Sequence, residues 1–187
     1  MSLTQDGRIV QDVLRGDVDA YSTLVLEYQK PVFNLMLRVT GSVAEAADLT
    51  QDAFVRAYER LDQFRTNCRF FPWLYTIAMN LARDWARKHR PEVLEDNIDR
   101  HPDGDGSRTA TQERLLQLKQ DKEAVNRALA ELPLEHREAV ILHYREGLSM
   151  KELSVVFNLS VSGAKMRVNR GVGMLRVILS ENGHGKM

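Results

Sequence analysis

Apolar residues recur along this chain at intervals of three and four, and they do not alternate with polar ones. That spacing restricts the fold to helices packed on helices. A first short helix is expected from Arg8 to Arg15, stopped by Gly16. Asp17 can cap a second, with Ala20, Leu24, Tyr28, Val32, Leu35 and Val39 on its apolar side and Gly41 at its end. Pro31 lies inside that helix and predicts a kink or a break. Ser42 and Glu45 have capping-box spacing for a third helix to about Leu61, with Ala46, Leu49, Ala53, Val55 and Ala57 as its apolar positions. After the loop DQFRTNCRF, Pro72 suits the first turn of a fourth helix, which ends among Arg83, Arg87, Lys88 and Arg90.

The helical pattern then lapses. Residues 91–112 are acidic, contain Gly and Pro, and carry almost no aromatic side chains, the composition of a flexible linker. Beyond it, a helix is expected from Thr111 to about Leu132, with Leu115, Leu118, Val125 and Leu129 inward and Pro133 ending it. Leu134 to Arg145 forms the next. Ser149 and Glu152 repeat the capping-box spacing ahead of a short helix, Met150–Phe157, and Asn158 suits a left-handed turn position. Ser160 can cap the last helix. The expected fold is all-α: two small helical domains, 8–90 and 113–180, joined by a flexible acidic linker.

Composition narrows the function classes. No apolar run is long enough to span a bilayer, and the N-terminus lacks the basic start and apolar core of a signal peptide, so a cytoplasmic location is expected. The single cysteine, Cys68, excludes an internal disulfide, and the five histidines show no zinc spacing. No cofactor or metal site is expected. No nucleophile–base pair or phosphate-binding glycine loop is visible either, so the chain reads as a non-enzyme. Net charge is zero but unevenly spread: +1 over residues 1–90, −4 over 91–112 and +3 over 113–187. Charge that weak limits counterion release, so unaided affinity for DNA should be modest and a partner is needed to bind it well.

The short helix, three-residue turn and longer helix from Ser149 to about Leu179 read as a helix-turn-helix, with Leu153, Val156, Leu159 and Val161 packing between the two helices. Its second helix offers Ser162, Lys165, Met166, Asn169 and Arg170 to DNA, with Arg167 near the edge of that face. The stretch LPLEHREAVILHYREGLSMKELSVVFNLSVSGAKMRVNRGVGMLR resembles the promoter-reading C-terminal domain of sigma-70 family factors. The resemblance implies contact between these residues and the −35 element. Gly171 and Gly173 depart from the family pattern, each costing a helix interior about 1 kcal/mol against alanine.

A helix-turn-helix alone also fits a regulator that never joins the polymerase. The N-terminal half decides between them. EAADLTQDAFVRAYERLDQF sets an acidic and amide face beside an aromatic, which by its residues alone reads first as a solvated face over a buried Phe and second as a face for docking on a basic helix. It resembles the motif by which extracytoplasmic-function (ECF) sigma factors bind core RNA polymerase. The resemblance implies that Asp48, Gln51, Asp52, Phe54 and Tyr58 face the clamp helices of the largest subunit, with Leu49 and Ala53 packed inward. The following FRTNCRFFPWLYTIAMNLARDWARKHR resembles the family block that recognises and opens the −10 element. There the implied DNA contacts are Arg65 and Asn67 in a base-capture loop, Arg65 to Phe71, and Asn80, Arg83, Asp84, Arg87 and Lys88 on the helix. Trp85 is unusual for the family. Strand opening needs a surface that holds unstacked bases and follows a phosphate backbone. The implied partners are core polymerase, through its clamp helices and flap, promoter DNA, and an anti-sigma factor, in the family often membrane-anchored.

Overall fold

The computed structural model describes residues 3–89 and 122–181. The expected linker, the beginning of the helix expected at Thr111, and Arg90 lie outside them. Among the described residues every regular element is helical. The chain divides into two compact units, Met1–Ile98 with Glu152–Leu159 and Asp99–Lys151 with Ser160–Met187.

In the first unit α1 (Gln5–Leu14) begins earlier than expected, because Thr4 caps it by accepting from the Gly7 N–H at 3.0 Å. Asp17 caps a 3₁₀ turn, Val18–Ala20, and not the second helix itself, whose first residue is Tyr21. α2 (Tyr21–Thr40) then runs through Pro31 as one helix, so of the expected kink or break the break does not occur. The proline removes one intrahelical hydrogen bond, at about 3 kcal/mol. Leu24, Val32, Leu35 and Met36 of the same helix are fully buried, each contributing about 1.5–3 kcal/mol, and tertiary packing outweighs the local penalty.

α3 (Val43–Tyr58) starts at Ser42, whose hydroxyl accepts from the Glu45 N–H at 3.4 Å. The Ser42 N–H itself donates to Thr40 Oγ1 at 3.2 Å, a partner outside the expected capping box. α3 ends at Tyr58, and Leu61 is buried in a 3₁₀ turn, Leu61–Gln63, rather than ending the helix. Its inward side is Ala46, Thr50, Ala53, Phe54 and Ala57, while Val55, expected inward, is exposed. α4 (Phe70–Lys88) starts two residues before Pro72, which still falls in the first turn, where no intrahelical N–H is needed. α2, α3 and α4 pack together in this unit's core.

The second unit holds α5 (residues 122–130), α6 (Leu134–Tyr144) and α8 (Val161–Glu181). Ala124, Ala128 and Leu132 face inward, and Val125, expected there, is exposed. The Arg137 guanidinium donates to the carbonyls of Ala130 (2.7 Å) and Leu132 (3.0 Å), satisfying acceptors where α5 ends. α6 and α8 pack closely enough that a Cβ on Gly171 would meet Val140 Cγ2 at 2.7 Å and the His136 carbonyl oxygen at 2.9 Å. Gly171 is therefore a contact point. A Cβ on Gly173 meets nothing within 4 Å.

The two glycines should answer alanine substitution in opposite directions. Gly173→Ala is expected to stabilise the protein by about 1 kcal/mol through helix propensity. Gly171→Ala should destabilise it by about 1–2 kcal/mol, because backbone must move to admit the methyl. Urea midpoints that shift the same way in both variants would contradict this packing. Two phenols give a second check. Burial, and then the carboxylates of Asp6 and Glu27, raise the Tyr28 pKa well above its ordinary value; burial, with Tyr58 second, does the same for Tyr21. A raised folded pKa means this stability is complete below the unfolded value of about 10 and is lost as pH climbs beyond it. Phenolate absorbance should show Tyr21 and Tyr28 ionising only together with alkaline unfolding.

Candidate nucleic-acid interface

The loop before α4 is held from a distance. Thr4 Oγ1 lies 3.1 Å from the Cys68 carbonyl and 3.3 Å from that of Thr66, and the Thr4 N–H donates to the Thr66 carbonyl at 3.3 Å. Gly7 lies so close that a Cβ there would overlap the Thr66 carbonyl. The Asp6 carboxylate accepts the Phe70 N–H at 3.0 Å, a cap for α4 that Arg69 does not supply. Within the loop a turn closes from the Cys68 N–H to the Arg65 carbonyl at 2.9 Å, leaving Arg65, Asn67 and Cys68 exposed. Sequence reasoning missed this anchorage, since its partners stand 62 and 64 positions apart and neither end carries a local signal.

On α4, Asn80, Arg83, Asp84, Arg87 and Lys88 follow helical spacing and share one exposed or half-buried face. Arg83 donates to Asn80 Oδ1 at 3.1 Å, and Arg87 pairs with Asp84 at 2.9 Å. These contacts pre-orient two guanidinium groups at little energetic gain, as exposed pairs contribute about 0–1 kcal/mol. Behind this face, Phe70, Phe71, Leu74, Tyr75, Ala78 and Met79 fix the helix in the core.

α3 presents Asp48, Gln51, Asp52 and Tyr58 to solvent, as a docking face requires. Phe54 differs from the expectation. It is 6% exposed, because it follows the buried stripe of Thr50, Ala53 and Ala57, and the exposed aromatic is Tyr58 at 40%. The Tyr58 ring meets Tyr21 edge-on at 5.1 Å, and the Tyr21 hydroxyl donates to the Phe54 carbonyl at 2.7 Å. Between α2 and α3 opens a groove of about 760 Å³, in which Gln51, Phe54 and Tyr58 are joined by Val25, Lys30 and Phe33. The α2 wall was not anticipated from sequence.

The helix-turn-helix begins with α7 (Met150–Phe157), in which Leu153, Val156 and Phe157 are buried. Asn158 adopts the left-handed conformation (φ 53°), and Ser160 caps α8 by accepting from the Gly163 N–H at 3.1 Å. Val161, expected to pack inward, is exposed, and Leu159 is half-buried. Along α8, Ser162, Lys165, Met166, Asn169 and Arg170 are all exposed and lie one above another at helical spacing. Arg167 does not join them. It is half-buried and forms an ion pair with Glu135 of α6. His136, beside this pair, has its pKa lowered by burial first and by the charges of Arg167 and Arg170 next, which disfavours a charge on its ring.

The comparisons with known proteins give the family. Residues 24–92 match the family model for sigma-70 region 2, and residues 122–175 match that for sigma-70 region 4. The ECF RNA polymerase sigma factor SigW of Bacillus subtilis is 32% identical, covering 89% of this chain and 92% of its own. The RNA polymerase sigma-H factor of Pseudomonas aeruginosa is 33% identical (89% of each), and the ECF sigma-E factor of Escherichia coli 32% (88% and 89%). Two solved structures share the fold at 23% identity and a TM-score of 0.65. They are CnrH in complex with the cytosolic domain of CnrY (95% of this chain, 99% of that one), and the sigma factor RpoE with the anti-sigma factor NepR from Bartonella quintana (86% and 96%). Both family regions in order, with relatives about one-third identical over most of their length, make this chain an ECF sigma factor of the sigma-70 family.

Proposed function

We propose that the chain binds core RNA polymerase as an alternative sigma subunit and directs initiation at promoters read at two places. Residues 8–90 dock on the clamp helices and open −10 DNA, residues 113–180 read −35 DNA, and residues 91–112 connect them. The observation that carries the reading is the exposed row Ser162, Lys165, Met166, Asn169 and Arg170 on α8, in a chain whose family initiates transcription. Two cations on that row suit phosphate and guanine contacts, while Asn169 can bond a base edge. On the same reading Asp48, Gln51, Asp52 and Tyr58 contact polymerase, with Phe54 forming the floor of the groove beside them. Arg65, Asn67, Asn80, Arg83, Asp84, Arg87 and Lys88 track the opened strand. The chemistry of RNA synthesis belongs to the polymerase, and the sigma subunit contributes position. A protein inhibitor that occludes the docking face is the control we infer, supported by the likeness to a sigma factor crystallised with an anti-sigma factor. A cytoplasmic site of action follows from the partner.

Run-off transcription from a genomic fragment library with purified core polymerase tests the whole reading. Discrete transcripts should appear only when this protein is added, and their absence sinks the proposal. Within that assay, Asp48→Lys with Asp52→Lys should weaken core binding by about tenfold or more, since like charge opposes the basic partner. Arg170→Ala should cost promoter binding about 1–3 kcal/mol if it reads a base. Lys165→Ala, as a phosphate contact, should weaken all promoters alike and lower the salt slope by about one. Arg167→Ala should behave differently, lowering thermal stability because the ion pair that ties α8 to Glu135 is lost. A full loss of promoter recognition at unchanged stability would instead return Arg167 to the DNA face.

A further inference from the structure

Most aromatic rings of α4 are used inside the protein. Phe70, Phe71 and Tyr75 are buried, and Trp73 packs against Phe64 and Phe70 at 5.4 Å. Trp85 is different. It stands one turn beyond buried Leu81, where the apolar stripe of the helix gives out, and it is only half-buried. Its ring stacks on that of exposed His89, with centroids 4.4 Å apart and planes 14° from parallel. His89 Nδ1 lies 3.1 Å from the Trp85 carbonyl oxygen. A carbonyl can only accept, so Nδ1 carries the proton and Nε2 of the neutral ring is left as an acceptor. The contact orients the imidazole on the same carbonyl that accepts the His89 backbone N–H at 2.9 Å.

We propose that the Trp85–His89 stack is a platform on which one unpaired nucleobase of the opened promoter strand lies, next to the polar face from Asn80 to Arg87. The inference rests on α4 holding opened DNA. Three features favour it over simple packing. The two rings are already stacked nearly parallel, and a hydrogen bond orients one of them, so less ordering cost falls on binding. Lys88, exposed at the position three beyond Trp85, puts a cation beside the rings where a phosphate would pass. From Asn80 to His89 the helix rises roughly 13 Å, so a strand leaving the polar face reaches the platform without turning back. Every base has a π-face, so the platform tolerates any sequence. It adds affinity for melted DNA and leaves base choice to the loop and to Asn80.

The test uses holoenzyme and the fork-junction form of a promoter recovered in the run-off assay, with 2-aminopurine placed at each unpaired position in turn. One position should be quenched on binding, and His89→Ala and Trp85→Ala should both abolish that quenching. Affinity for the fork should fall about five- to hundredfold in Trp85→Ala. Trp85→Phe should restore most of it, which separates stacking from a folding defect. Binding of core polymerase and of duplex −35 DNA should stay at wild-type level in both alanine variants. If Asn80→Ala with Arg87→Ala loses the fork while Trp85→Ala and His89→Ala keep it with quenching intact, the platform is overturned and strand opening by α4 stands. If that double variant also keeps the fork, α4 does not hold opened DNA, and the reading beneath the platform falls with it.

Discussion

Three elements of the first unit meet at the carboxylate of Asp6. It is buried, it receives the Tyr28 hydroxyl at 3.1 and 3.2 Å from α2, and it receives the first N–H of α4 at 3.0 Å. A carboxylate removed from water is costly unless hydrogen bonds and charge replace what the solvent supplied. Here a phenol and a helix N-terminus do so, the second adding the favourable end of the helix dipole. The dependence runs both ways. Without Asp6 the buried Phe70 N–H is left without this acceptor, a penalty of about 1–3 kcal/mol. The start of α4 is thus set by α1. The loop carrying Arg65 and Asn67 inherits its position from that start and from Thr4, so the precision of the proposed −10 face originates some sixty residues upstream.

Weak charge and a divided reading surface belong together. A strongly basic chain would occupy DNA everywhere through counterion release, and a promoter-reading subunit must avoid that. The cations proposed to touch DNA are few, and two are already partnered: Arg83 with Asn80 and Arg87 with Asp84. Such pairing reduces non-specific attraction and leaves specificity to geometry. On the proposed reading, two modest surfaces held at a fixed spacing by polymerase gain from effective concentration what neither has alone.

Element type was legible in the sequence almost throughout, because apolar spacing of three and four is written locally. The caps at Asp17 and Ser160 and the left-handed Asn158 were legible for the same reason. What could not be read were outcomes decided by distant residues. Pro31 signals a break by every local rule, and only the buried Leu24, Val32, Leu35 and Met36 overrule it. Phe54 in its motif reads as an exposed anchor, yet its burial depends on which stripe of α3 faces α2. Arg167 looks like one more basic residue on a basic helix until α6 supplies Glu135. The second wall of the α2–α3 groove, Val25 and Phe33, carried no motif at all.

Gly171 shows how the two demands on the recognition helix are reconciled. On the proposed reading one face of α8 stays exposed over two turns to meet DNA, which leaves a narrow opposite side to fasten it to the domain. Ala164, Val168 and Gly171 form that side at intervals of four and three, and all are buried. Small residues there let the α8 backbone approach the His136 carbonyl within a distance that a methyl group would block. The residue that looked from sequence like a weakness in the reading helix is therefore part of what holds the helix in place. Gly173 has no such contact, and its lower helix propensity meets no compensating gain in packing. The ion pair of Arg167 with Glu135 works at the edge of the same seam, tying α8 to α6 beside the exposed row. With Arg167 drawn into that seam, the proposed −35 surface is narrower than the basic sequence of α8 suggests and rests more heavily on Lys165, Asn169 and Arg170.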